Sequence, residues 1–315
     1  MKDVHAMAPA GVLQALGRVG ISGVRKPVSI HRADGLHALA ASFSIYVDLP
    51  ATRKGSDLSR NAQVLAEIVD QTIVKPSASL EAVCVAIARE LLRRHTYATE
   101  AQVSAEAEYF MPIGLTDEKT SFENFLLLAE VIATRSPGEV SVRKTVGAES
   151  VGMTACPCAM ETCRTQLEGE YPLLKDPSMA TMPIITHNQR NRTRLSFELS
   201  DDVDVEAESI LEVISKAQSS QTYAILKRGD EGAVVLNAHR NPKFVEDVVR
   251  DALRFAAQNF RSLPDSTKVL VETESEESIH KYNVRASHRS TMGELRQAQQ
   301  NNGLLPVNNS PSHSA

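Results

Sequence analysis

Three of the chain's four cysteines crowd into eight residues, in Thr154-Ala155-Cys156-Pro157-Cys158-Ala159-Met160-Glu161-Thr162-Cys163. Thiolates bind metals and attack electrophiles, so the cluster is the first place to look for chemistry. Proline fixes its own φ and pushes the preceding residue toward an extended backbone. Cys-Pro-Cys therefore reads as stiff and non-helical, with Cys156 and Cys158 on one side. Cys163 lies five residues on and need not join them. Two thiols fall short of a four-thiolate zinc site, and no Cys-x-x-Cys occurs. Buried structural thiols are the plain alternative.

Two further groups offer complementary chemistry. His187 stands in the polar stretch Thr186-His187-Asn188-Gln189-Arg190. It is either a solvated side chain or, beside a thiolate, part of an open metal site that leaves a position for water. Glu277 and His280, in Glu274-Ser275-Glu276-Glu277-Ser278-Ile279-His280, place a carboxylate and an imidazole three residues apart, just past an expected strand end. Such a pair can bind an amidine-like edge and move protons; a solvated acidic loop has the same spacing. Arg53-Lys54-Gly55, Arg60 and Lys227-Arg228 could hold phosphates or be ordinary surface charge. His239 reads as a hydrogen-bonding residue at a helix start. Walker, Gly-x-Gly-x-x-Gly, His-Glu-x-x-His and Gly-x-Ser-x-Gly motifs are absent, which removes the usual support for kinase, dehydrogenase, zincin and serine hydrolase readings.

These residues need a scaffold, and 315 residues suffice for two domains with real cores. The net charge of −5 argues against a nucleic-acid partner, and the 4% aromatic content against a base-stacking surface. No run approaches a membrane span and the start lacks a secretory pattern, so the expected location is cytoplasmic.

Period-2 alternation predicts strands at 43–48, 99–111, 139–147, 193–199 and 268–272. Residues 122–134 join 139–147 through Ser136-Pro137-Gly138 and read as the other arm of a hairpin. Helical spacing predicts helices over 59–74, capped by Ser59, over 79–95, capped by Ser79, over 205–218, and after Asn241-Pro242 with proline in the first turn. Cys84 falls beside the apolar stripe of the second helix and reads as a buried structural thiol. Residues 1–25 read as an irregular arm. A strand, paired helices and a strand thus precede the cysteines, and a similar order follows. The fold class is α+β, built from two like modules. The expected division is 1–150 for the first module with its arm and 151–190 for the cysteine segment and connecting loop. Residues 191–295 form the second module and 296–315 a disordered tail.

Taken together, several segments resemble the type IB GTP cyclohydrolases. They are Val47-Asp48-Leu49-Pro50, Arg53-Lys54-Gly55, Leu58-Ser59-Arg60, Gly152-Met153-Thr154-Ala155-Cys156-Pro157-Cys158-Ala159, His187-Asn188-Gln189-Arg190, Leu226-Lys227-Arg228, Asn241-Pro242-Lys243-Phe244-Val245-Glu246-Asp247 and Glu277-Ser278-Ile279-His280. The Thr-Ala-Cys-Pro-Cys-Ala form is most similar to the methanopterin-pathway branch.

The resemblance implies a tunnelling fold of two tandem strand–helix–helix–strand modules with antiparallel sheets. Chains would assemble as a homodimer or homotetramer into an oligomeric barrel. It implies an enzyme that opens the imidazole ring of GTP at C8 and releases formate. The methanopterin branch uses Fe(2+) and gives 7,8-dihydroneopterin 2′,3′-cyclic phosphate. The folate branch uses Zn(2+) or Mn(2+) and gives the triphosphate. A non-catalytic nucleotide- or metal-binding paralogue is the alternative from another class.

Carried over by motif, Cys156 and His187 are metal ligands and the third ligand position falls on Gln221, whose neutral amide is a poor replacement for the family's glutamate. Cys158 lies near the reacting base, Glu277 anchors the guanine N1/N2 edge, and His280 shuttles protons. Arg60, Lys227 and Arg228 bind substrate. Tyr282 stands where the branch has a second histidine.

Overall fold

The computed structural model describes residues 4–8, 11, 13–32, 35–116 and 119–301. Two units divide the chain. The first takes Met1–Gly114, Phe122–Glu149 and Glu198–Ala207; the second takes Leu115–Ser121, Ser150–Phe197 and Glu208–Ala315. Residues 198–207, expected in the second module, thus belong to the first unit. The architecture is α+β with a large antiparallel sheet, as the alternation and helical periods require.

In the first unit, β1 (Leu16–Arg32) pairs antiparallel with β2 (Gly35–Leu49), and β2 with β3 (Glu100–Thr116). β4 (Lys119–Ser136) and β5 (Glu139–Ala155) form the expected hairpin, closed by Pro137-Gly138 with Gly138 at φ 86°. One face of β1 and β2 buries Val28, Ile30, Leu39, Phe43, Ile45 and Val47. Against β1 packs α1 (Leu58–Val74), which buries Val64, Leu65 and Val69; α2 (Leu80–Arg94) adds Val83, Ile87 and Leu91. Cys84 is fully buried on α2, and that burial pushes its thiol pKa up.

Residues 16–25 are the first half of β1, not an irregular arm. Glycine hid the strand by interrupting its side-chain pattern. A Cβ on Gly20 would overlap the Ile45 carbonyl oxygen. Gly23 adopts φ 69°, within the register shift between Ile21 and Val24, as a bulge in a strand favours. Ser79 caps α2 as expected, accepting from the Ala82 N–H at 3.2 Å. Ser59 does not cap α1. That position is Asp57, whose carboxylate faces Arg53 and Arg60 instead of the helix N–H groups.

In the second unit the end of β5 is followed across the sheet by β6 (Asn188–Ser200), β8 (Lys268–Ser275) and β9 (Val284–Thr291), while the short β7 (Ser220–Gln221) pairs with β5. α3 (Pro157–Glu170) follows β5. α4 (Ala207–Ala217) and α6 (Val245–Asn259) supply the apolar cover, burying Ile210, Val213, Ile214, Val248, Ala252 and Ala256 with Leu195 and Phe197 of β6. Between them lies α5 (Arg228–Arg240), which the sequence did not announce.

Two expectations about helix ends fail here. α6 begins at Val245, after Pro242, because the Asp247 carboxylate accepts the Phe244 N–H at 3.1 Å and starts the helix there. Part of the expected tail is helical: α7 runs Met292–Asn301, and residues 302–315 lie outside the described residues.

Candidate functional site

The cysteine segment is not extended throughout. Cys156 has extended backbone (φ −76°, ψ 115°) and caps α3; Pro157 is the first helical residue and Cys158 lies in the first turn. Proline fits that position because its fixed φ is helical and its missing N–H would have no partner anyway. The same-side argument for Cys156 and Cys158 therefore fails. Cys158 is exposed, while Cys156 and Cys163 are half-buried.

The approach to Cys156 is tightly held. Met153 O accepts Ser219 N–H at 3.0 Å, and Ala155 O accepts Lys243 N–H at 3.0 Å. Lys243 is buried; its ammonium meets Ala217 O at 2.8 Å and Asp251 Oδ2 at 2.7 Å. Asn241 Nδ2 donates to Gln218 O at 3.1 Å. The Asn-Pro-Lys motif thus pins the end of β5 from outside any helix. Gly152 is required by close packing: a Cβ there would overlap Gln218 Oε1 and lie 2.8 Å from Ser220 O.

On the other side, Thr154 Oγ1 lies 3.3 Å from Ser275 Oγ, both buried, at the end of β8. The next residue, Glu276, donates its N–H to Arg190 O at 2.9 Å. Gln189 Nε2 donates to Glu277 Oε1 at 3.1 Å. Hydrogen bonds therefore connect the Cys156 strand end, the segment bearing His187 and the loop bearing Glu277. Beneath them Asn191, Thr193, Thr273 and Gln218 form a buried polar network. Extending the alternation Thr193-Leu195-Phe197-Leu199 backward in twos puts Asn191 and Gln189 on this inward face, a signal that the strand predicted at 193–199 stops short of.

His187 is half-buried and follows Thr186, which His239 anchors. His239 is 1% exposed. Its Nδ1 lies 2.8 Å from Val235 O. Its Nε2 faces both backbone groups of Thr186, the carbonyl oxygen at 3.1 Å and the N–H at 3.2 Å. His239 therefore closes the end of α5; it does not open a helix. His280 is exposed and stacks on Tyr282. The loop that carries Glu277 and His280 is closed at its base: Asn283 Nδ2 and Arg285 Nη2 reach Glu274 at 2.7 and 2.8 Å. These two groups hold the Glu274 carboxyl below the usual carboxylate range.

The remaining sequence candidates are more scattered. Gln221 sits opposite Gly152 in β7, with its amide nitrogen on the Ser215 hydroxyl. Lys227 and Arg228 are exposed at the start of α5. Arg60 lies in the first unit, paired with Asp57 at 3.0 Å. Among the described residues no group of three or more His, Cys, Asp or Glu side chains is placed to hold a metal. Cys156 and His187 offer sulfur and nitrogen donors suited to iron(II) or zinc. Gln221 is turned to another partner. Among the described residues neither donor belongs to a fuller ligand shell.

Comparison with known proteins extends the picture beyond the site. No helix among the described residues is long and apolar enough to cross a membrane. The solved uricase described as from Bacillus fastidious superposes with a TM-score of 0.50 at 10% identity, covering 97% of this chain and 99% of that one, a likeness of fold alone. GTP cyclohydrolase MptA of Methanococcoides burtonii is 40% identical over 309 residues, 95% of this chain and 97% of that protein. GTP cyclohydrolase MptA 2 of Methanocella arvoryzae is 38% identical over 304 residues, 94% and 98% of the two chains. The family model described as "Type I GTP cyclohydrolase folE2" matches residues 1–286. That span takes in every site segment described above, and the chain belongs to the type I GTP cyclohydrolase family.

Proposed function

We propose that the protein hydrolyses GTP at C8 of the imidazole ring, releasing formate and, as the cyclic ester forms, diphosphate, and giving 7,8-dihydroneopterin 2′,3′-cyclic phosphate for tetrahydromethanopterin synthesis. The observation that carries this reading is 40% identity along 95% of the chain to a protein named GTP cyclohydrolase MptA. The site is consistent with it. Glu277 presents carboxylate oxygens that accept N–H donors from the guanine N1/N2 edge. His280, whose ring is held by Tyr282, takes and returns a proton as water adds to C8 and the ring C–N bonds break. Cys158 lies exposed in the first turn after Cys156, where substrate can reach it. Lys227, Arg228 and Arg60 are the cations proposed for the phosphates.

The reading includes Fe(2+), with Zn(2+) or Mn(2+) as alternatives, on Cys156 and His187. A bound divalent ion would supply acidified water. It also includes the tunnelling fold's tandem modules, a homodimeric or homotetrameric barrel and a cytoplasmic location. Sedimentation equilibrium measures the assembly. Anaerobic assay with added Fe(2+) tests the reaction. Formate above the level of a Cys156→Ala control is expected, and its absence overturns the reading. Product chromatography separates the cyclic phosphate from the triphosphate of a folate-type enzyme.

A further inference from the structure

We propose that Gln189 is a specificity-determining residue that reads the 2-amino group of the purine, a role that rests on the assignment of Glu277 as the guanine anchor. Gln189 is 9% exposed and its side chain bridges toward Glu277. A carboxylate oxygen only accepts, so the atom 3.1 Å from Glu277 Oε1 is the amide nitrogen. That settles which way the amide faces. Its oxygen, Oε1, is shut off from solvent and has no hydrogen-bond partner among the described residues. A buried carbonyl oxygen of this kind is costly to leave unpaired, and buried polar groups are rarely left so without a purpose.

The neighbouring carboxylate indicates the missing donor. Guanine carries three N–H bonds along one edge, one on N1 and two on the 2-amino nitrogen. Two carboxylate oxygens accept the N1–H and one of the amino hydrogens. The second amino hydrogen needs an acceptor immediately beside the carboxylate. Gln189 Oε1 is an acceptor on the group bonded to that carboxylate, held by strand β6 on one side and by Glu277 on the other. Hypoxanthine lacks the amino group and leaves Oε1 unpaired. Xanthine places a carbonyl oxygen against two acceptors. The pair therefore selects 2-aminopurines by what it leaves unsatisfied with the others.

Steady-state kinetics with GTP and ITP on wild type and Gln189→Met test this. Methionine keeps the length and removes both the acceptor and the bond to Glu277. The expected result is a loss in kcat/KM about tenfold or more greater for GTP than for ITP, so that the preference collapses. Equal losses on both nucleotides overturn the proposal, because that is the signature of a residue that only holds Glu277. Calorimetric binding of GDP and IDP to the same proteins reads Gln189 without turnover. If wild type opens no GTP, the functional reading fails by itself; an unchanged GDP-to-IDP affinity ratio in the variant then overturns the Gln189 role separately. Should Gln189→Met fail to fold by thermal unfolding, the wild-type GDP-to-IDP ratio decides, and a ratio near one overturns the proposal.

Discussion

The imidazole of His280 lies flat against the phenol ring of Tyr282, with centroids 4.9 Å apart and planes 8° from parallel. Both side chains are exposed, and Tyr282 is 61% accessible, so packing from elsewhere does not impose the stack. The pair orients a proton-carrying ring while leaving both ring nitrogens clear of it. Tyr282→Phe keeps the stack and should keep kcat within about twofold; Tyr282→Leu should lower kcat about fivefold with little change in KM. In NMR spectra of the resting protein, the ring-current displacement of the His280 signals should survive in the first variant and vanish in the second.

His239 performs a different kind of positioning, from inside. It spans the Val235 carbonyl and the backbone of Thr186, one residue before His187. His239→Phe removes the side-chain contacts to Val235 and Thr186 and should cost about 1–3 kcal/mol in urea unfolding. His239→Gln can still accept from Thr186 and should recover part of that. Activity should follow the recovery of the Thr186 bond more closely than the recovery of stability.

Gly152 is a packing requirement at the site's centre. Its added methyl group would collide with Gln218, a buried side chain already committed to Asn191 O and Thr193 Oγ1 at 3.2 Å each. Gln218 cannot swing away without breaking that network. Gly152→Ala should therefore destabilise by about 1–3 kcal/mol. Amide exchange in Ser220 and Gln221 should accelerate more than in α1 of the first unit.

Acid stability should depend on Glu90. Two bonds from Arg93 at 2.7 Å, joined by one from Arg94, draw its pKa down to about 2, against an opposing effect of burial. A depressed carboxylate stabilises the fold above its ordinary value of 4.5, and that contribution is lost as pH falls from 4.5 through about 2. Glu90→Gln should lower the thermal midpoint at pH 7, and the difference from wild type should close as pH approaches about 2.

What could be read from the sequence follows from where apolar contrast exists. α1, α2, α4 and β8 alternate or repeat strongly and were legible to within a few residues, whereas only parts of β2 and β3, 43–48 and 99–111, were read as strand. α5 carries its few apolar residues without a clear face, and β9 is the polar segment Val-Arg-Ala-Ser-His-Arg-Ser-Thr, so neither had a signal. Cys-Pro-Cys was misjudged locally because proline stiffens a strand and starts a helix equally well. The candidate residues Cys156, His187, Glu277 and His280 stood out by type and spacing, but their roles came from motif likeness, which no composition or period supplied. Gln189 stood inside a quoted motif unnoticed. Its role depends on an amide whose two ends have different neighbours, which only coordinates reveal.

The helix that follows Cys156 has no buried residue along its whole length. Its side chains are at most half-buried, and it is held by packing on the turn at Pro172–Lys175 and by Arg164, whose guanidinium binds the carbonyls of Met179 and Met182. A segment secured at so few points opens at a free energy well below that of global unfolding. Presentation of the Cys156 and Cys158 thiols is thus an equilibrium property of one lightly tethered helix, adjustable by whatever binds there, while the strand end behind it stays fixed.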